Sequence, residues 1–199
     1  MKPQIKIVIS FVIVLFACEQ KDKVVVKTIS KWDYAKYDPK IPLNPIFKKL
    51  NQEKELYGLL DARDSILKRS SSVAYFSKGE DTINNNYYRN NKCIARMTTD
   101  TLYVSIGMGS GFSGSGSQIK YFKKKFYVEP FRWTDASLGK EFESTYKLNK
   151  QELILDKVEY KIGDSIFGRI EFESIETDFN KKRTIKKGKG YFRGKIKMG

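Results

Sequence analysis

Hydrophobic and polar positions change their spacing twice along the chain. Residues 7–17 (IVISFVIVLFA) are almost uninterruptedly apolar. From about residue 45 to 60, Ile46, Leu50, Tyr57 and Leu60 return with charged residues between them, at the ~3.6-residue period of one helix face. Asn44-Pro45 supplies an N-cap followed by proline at the first helical position, so a helix is predicted over about 45–60. Beyond residue 70 the period falls to two. Leu102, Val104, Ile106 and Met108 alternate with Tyr103 and Ser105, the pattern of a half-buried strand. Ile166, Ile170 and Phe172 share one parity while Arg169, Glu171 and Glu173 take the other.

Further strands are expected at 24–29 (VVVKTI), at 119–129 (IKYFKKKFYVE) and over Tyr191 to Ile196. Lys147-Leu148-Asn149-Lys150 and Lys161-Ile162-Gly163-Asp164 carry turn chemistry between apolar runs. The stretch 77–92, with Asn84-Asn85-Asn86, reads as a loop. Three of the five prolines fall in 32–45, beside Trp32, Tyr34 and Tyr37. Proline there blocks helix and central strand, leaving an extended segment pinned by its aromatics. Many short strands without alternating helices predict a mainly β fold: an antiparallel β-sandwich or barrel-like domain with one short N-terminal helix.

The apolar run at the start is too short for a membrane span, which takes about 20 residues. Behind Lys2 and Lys6 it has the size of a secretory h-region. It ends in Leu15-Phe16-Ala17-Cys18, which resembles the lipobox of bacterial lipoproteins. A thiolate is nucleophilic enough to take a diacylglyceryl group as a thioether. Small Ala17 admits the peptidase, and cleavage between Ala17 and Cys18 frees an amine for a further acyl chain, such as palmitate. The resemblance implies a signal peptide over 1–17, a lipidated Cys18 with a tether over 18–31, and one β-rich domain over 32–199. Two or more chains, at ~0.8 kcal/mol per buried CH₂, hold such a protein stably on a membrane. Glu19, not Asp, follows the cysteine, so the resemblance implies the outer membrane, facing the periplasm or the surface. Gln20-Lys21-Asp22 also resembles the lysine-and-acid tags of surface lipoproteins; it reads equally as a solvated tether.

Charge sharpens the choice of partner. The chain carries 38 Lys and Arg against 23 Asp and Glu, a formal +15, and no histidine. Histidine-based nucleophile devices and the usual zinc sets are thereby excluded, and no cofactor is implied. Residues 181–199 hold nine basic residues and no acid, a field that attracts polyanions at short range. For an exported lipoprotein these are anionic glycans, lipopolysaccharide or an acidic protein, with nucleic acid set aside. The alternative for the same tail is a solvated last hairpin.

Among motifs, Gly109-Ser110-Gly111-Phe112-Ser113-Gly114 matches the dinucleotide-binding spacing, but a strand pattern follows where a helix N-terminus is needed. It reads as a hairpin connection. Glu141/Glu143 and Glu171/Glu173 each place two carboxylates on one strand face, but Glu171 and Glu173 flank the apolar Phe172 and should point to solvent. A carboxylate hydrolase is the weakest of the readings. Cys93, left without a disulfide partner once Cys18 is lipidated, reads as a small buried hydrophobe. No metal-ligand spacing occurs. The stretch 120–127 interleaves lysines and aromatics, with Tyr121, Lys123 and Lys125 on one face and Phe122, Lys124 and Phe126 on the other. The first trio, together with Lys186, Lys187 and Lys189, forms the candidate anion-binding set; an edge strand guarded by lysines is the plainer reading. The function expected is a non-enzymatic binding or accessory lipoprotein of the envelope. An immunity- or inhibitor-type lipoprotein neutralising an acidic toxin or enzyme is the alternative.

Overall fold

A computed structural model describes residues 31–55, 68–77, 92–109, 113–135 and 144–199. Cys18, the 24–29 run, Tyr57, Leu60, Glu141, Glu143 and nearly all of 77–92 lie outside the described residues. The described part is mainly β, as the two-residue periodicity predicts. Its strands are β1 (Asp33–Tyr34), β2 (Lys36–Tyr37), β3 (Ala74–Ser77), β4 (Lys92–Thr98), β5 (Thr101–Gly109), β6 (Ser113–Phe122), β7 (Lys125–Thr134), β8 (Thr145–Leu155), β9 (Ser165–Thr177) and β10 (Arg183–Met198); one α-helix, α1, spans Pro45–Gln52.

The sheet runs β1-β7-β6-β5-β4-β10-β9-β8-β2, with β3 also on β10. Its two end strands are halves of a single segment, residues 33–37. Asp33 and Tyr34 pair with Phe126 and Lys125 of β7, whereas Lys36 and Tyr37 pair with Ile154 and Leu155 of β8. Between them the Ala35 amide donates to the Lys124 carbonyl (2.9 Å), and the Asp38 amide donates to that of Leu155 (2.9 Å). The sheet therefore closes into a barrel, and this one segment bridges its two edges over two residues of β7 and two of β8. The aromatics pin it as expected. Trp32 meets Tyr127 edge-on at 4.7 Å, and the Tyr37 and Tyr121 hydroxyls share a hydrogen bond of 2.8 Å. Pairing is not wholly antiparallel, since β10 runs parallel to β4 and β2 parallel to β8.

The interior is one apolar cluster drawn from all the long strands, including Leu102, Val104, Ile106, Ile119, Phe126, Leu153, Leu155, Ile166, Ile170, Phe172, Phe192 and Ile196. Two glycines make room for its rings. Gly168 lies opposite Phe192 and Gly188 opposite Phe172 across the β9–β10 pairing. A Cβ on either would sit 2.3 Å from the facing phenyl ring. Cys93 is buried in this cluster, and burial pushes its thiol well above the usual range, as suits an inert core residue.

Helix α1 packs outside the barrel. The Asn44 side chain accepts from the Ile46 amide at 3.0 Å and Pro45 opens the first turn, as predicted. Phe47 and Leu50 are its buried residues, meeting Ile154, Phe167 and Tyr191 on the outer faces of β8, β9 and β10. Burying two such side chains contributes about 1.5–3 kcal/mol each. The helix stops at Gln52, short of the predicted 60. Glu53 is already extended, and its carbonyl accepts from the Arg69 amide (3.0 Å) while its carboxylate pairs with the Arg69 guanidinium.

One more expectation is corrected. Residues 147–150 are not a turn: β8 continues through them with an irregularity between Leu148 and Lys150. Residues 181–199 take the last-hairpin alternative: β10 contains the strand predicted over 191–196, pairs with β9, β3 and β4 and sends Phe192 and Ile196 into the core. The 161–164 turn holds, with Gly163 at φ 90°.

Candidate functional site

The aromatic–lysine stretch is two strands, not one. Phe122 ends β6 and Lys125 begins β7, so Lys123 and Lys124 alone form the turn, with φ of 46° and 70°. Two successive positive φ values mark the hairpin turn whose twist suits paired strands, a turn that favours Asn-Gly. A residue with a Cβ pays about 1 kcal/mol or more in this region. Lysines carry no turn signal in the sequence, so residue types alone continue the alternation straight through them. The extra residues reset the parity: Tyr121 lies opposite Phe126, and both face the core. Tyr121, expected on the exposed face, is thus 6% exposed, whereas Lys123, Lys124 and Lys125 are exposed.

Beneath this turn lies a cavity of about 390 Å³. Met97, Leu102 and Val158 give it an apolar wall, Tyr121 and Tyr160 a hydroxyl-bearing one, and Lys123, Lys124, Asp100 and Glu159 a charged rim. The Tyr121 hydroxyl donates to the Val158 carbonyl at 2.5 Å, and Tyr160 donates to Asp156 Oδ1 at 2.6 Å. The two rings meet edge-on at 6.3 Å. Burial, and next their hydrogen bonds to Tyr37 and Asp156 respectively, push both phenols above their ordinary range, so both keep their protons. Lys123 Nζ lies 4.8 Å over the Phe122 ring and Lys125 Nζ 5.3 Å over Tyr34. None of Lys123, Lys124 and Lys125 is ion-paired with a described carboxylate.

The other candidate lysines are differently placed. Lys187 pairs with Glu173 at 2.8 Å and Lys189 with Glu171 at 3.2 Å, on the outer face of β9–β10. Lys186 takes the opposite parity and meets Glu176 at 3.4 Å inside the barrel. These three lysines of the basic run are therefore compensated by acids from β9. Glu171 also holds Lys150 (2.8 Å) and Arg169 (2.9 Å). Its hydrogen bonds to Lys150, then Lys189, lower its pKa to about 2. Glu171 and Glu173 point away from buried Phe172, as alternation requires.

Gly109 and Gly114 lie opposite each other where β5 passes to β6, and a strand follows, as expected of a hairpin connection. Among the described residues no group of acids and thiols is arranged to hold a metal ion, and no helix is long and apolar enough to cross a membrane. Comparison of the chain with protein-family models, with curated proteins and with solved structures finds no match.

Proposed function

We propose that the chain is a lipid-anchored envelope lipoprotein whose barrel is a non-enzymatic binding module, engaging an anionic glycan or lipopolysaccharide through the Lys123–Lys125 turn and the cavity beneath it. One observation carries this reading. A turn that local sterics assign to Asn-Gly is built from two lysines, and it presents both at the rim of a cavity, with Lys125 next in the chain. Such a conformational cost, kept at a concave surface, points to use of the side chains. The phenol hydroxyls and ring faces suit sugar hydroxyls and C–H faces, while the ammonium groups suit phosphate or carboxylate. The LFAC motif ending at Cys18 supports the anchor.

The discriminating variant is Lys123→Asn/Lys124→Gly, which gives the turn its least strained sequence. Its stability should rise by about 1 kcal/mol, while retention on immobilised lipopolysaccharide and alginate falls at least tenfold. Binding by the parent should weaken steeply between low and physiological salt, since the lysines are exposed. Undiminished retention in the variant contradicts the proposal.

A further inference from the structure

Packing alone would fill the inward positions of a small barrel with apolar side chains. That holds at the end near the Lys123–Lys124 turn and fails at the other. On β9 the inward row passes from Ile166, Ile170 and Phe172 to Ser174 and Glu176; on β10 it passes from Ile196 and Phe192 to Lys186. The last fully satisfied layer is made by Tyr75 and Phe172. The Tyr75 hydroxyl donates to the Ile106 carbonyl (2.6 Å) and lies 2.8 Å from Ser117 Oγ.

Beyond that layer Glu176 is 8% exposed. One of its oxygens accepts from the Tyr146 hydroxyl at 3.1 Å and the other lies 3.4 Å from Lys186 Nζ. Lys186 also donates to Ser77 Oγ at 2.7 Å. Burial, and then the charge of Glu176, raise the Tyr146 phenol to about 12, so it stays a donor; the positive charge of Arg132, on β7, acts on it in the opposite sense. Arg132 shares the parity of inward Phe126 and Val128. Ser174 is fully buried, and its hydroxyl has no hydrogen-bond partner.

A buried carboxylate, even one paired as Glu176 is with half-buried Lys186, stabilises a fold no better than an apolar side chain of equal volume, and an orphaned buried hydroxyl is a cost. Structure alone accounts for neither, whereas a polar guest accounts for both. We infer that this mouth of the barrel, at the far end of β6 and β7 from the lysine turn, is a second binding site, for a small hydroxylated anion such as a sugar acid or sugar phosphate. Arg132 and Lys186 receive the carboxylate or phosphate, and Ser174 and Glu176 receive hydroxyl groups.

Calorimetric titration of the full lipidated protein in detergent micelles with glucuronic acid and with glucose 6-phosphate tests this. At least one should bind saturably, and glucose at least tenfold more weakly. Arg132→Gln should weaken binding about tenfold. Ser174→Ala should weaken it several-fold with Tm unchanged or raised, because the hydroxyl it removes has no partner in the free protein. Lys123→Asn/Lys124→Gly should leave it unaltered, which separates this site from the turn. Absence of binding by both anions, or binding unchanged in Arg132→Gln and Ser174→Ala alike, overturns the inference.

Discussion

Glu171 shows how much one carboxylate can organise. Three cations converge on it from β8, from its own strand and from β10. Its pKa drops from an ordinary 4.5 to about 2. A group whose folded pKa is depressed adds stability that is present above the unfolded value and lost as pH falls toward the folded one. Thermal stability should therefore decline between about pH 4.5 and pH 2, and Glu171→Gln should flatten that part of the profile. An equal decline in the variant would assign the acid sensitivity elsewhere. The contribution is modest, because two of the partners, Lys150 and Lys189, have side chains 58% and 59% exposed, and such pairs give at most about 1 kcal/mol. At this scale the sequence was legible where chemistry is local. Asn44 and Pro45 announce the helix start, and Glu171 faces outward because Phe172 faces in. It was illegible at Lys123 and Lys124, whose positive φ values are imposed by the strands on either side and leave no mark in residue type.

Strand β10 is the element where charge counted along the sequence says least about its surroundings. Residues 181–199 hold nine basic residues, yet β10 is paired on both sides as the seam between the two halves of the barrel wall. Cross-strand acids account for the difference: Glu171 and Glu173 on β9 and Glu176 inside take up Lys189, Lys187 and Lys186. Charge counted along one strand misses compensation that arrives from its neighbour. The β8 irregularity at Leu148/Lys150 was misread similarly, since a bulge and a turn draw on the same residue types. The β9–β10 pairing depends on ring-over-glycine contacts, so Gly168→Ala should drive a methyl into Phe192 and destabilise the protein by about 1–3 kcal/mol. Chemical denaturation measures this directly. A neutral result would mean that Phe192 has room to move, against the close packing described. Replacement at Gly163, where a Cβ would meet nothing within 4 Å, provides a control in which only the positive φ is strained.

On the scale of the whole molecule, residues 33–37 both close the barrel and lead back toward the proposed tether. The Lys31 carbonyl accepts from Gln151 at 3.4 Å, and its ammonium lies 4.5 Å over the Tyr127 ring. The chain thus joins the wall between β7 and β8. Cys18 lies 13 residues before Lys31, so an acylated Cys18 gives the barrel at most about 45 Å of reach from the membrane. That suits the proposed module, which would meet glycans or lipopolysaccharide close to the membrane. The mainly β class was readable because alternation repeats in strand after strand. Closure was not, because it depends on a five-residue segment, 33–37, whose aromatics and the prolines that follow it promise only an extended path. The most direct test of the account is intact mass measurement of the protein purified from membranes. The account predicts a chain beginning at Cys18 and carrying the mass of a diacylglyceryl group plus a further acyl chain. A chain that keeps residues 1–17, or begins with an unmodified Cys18, would contradict it.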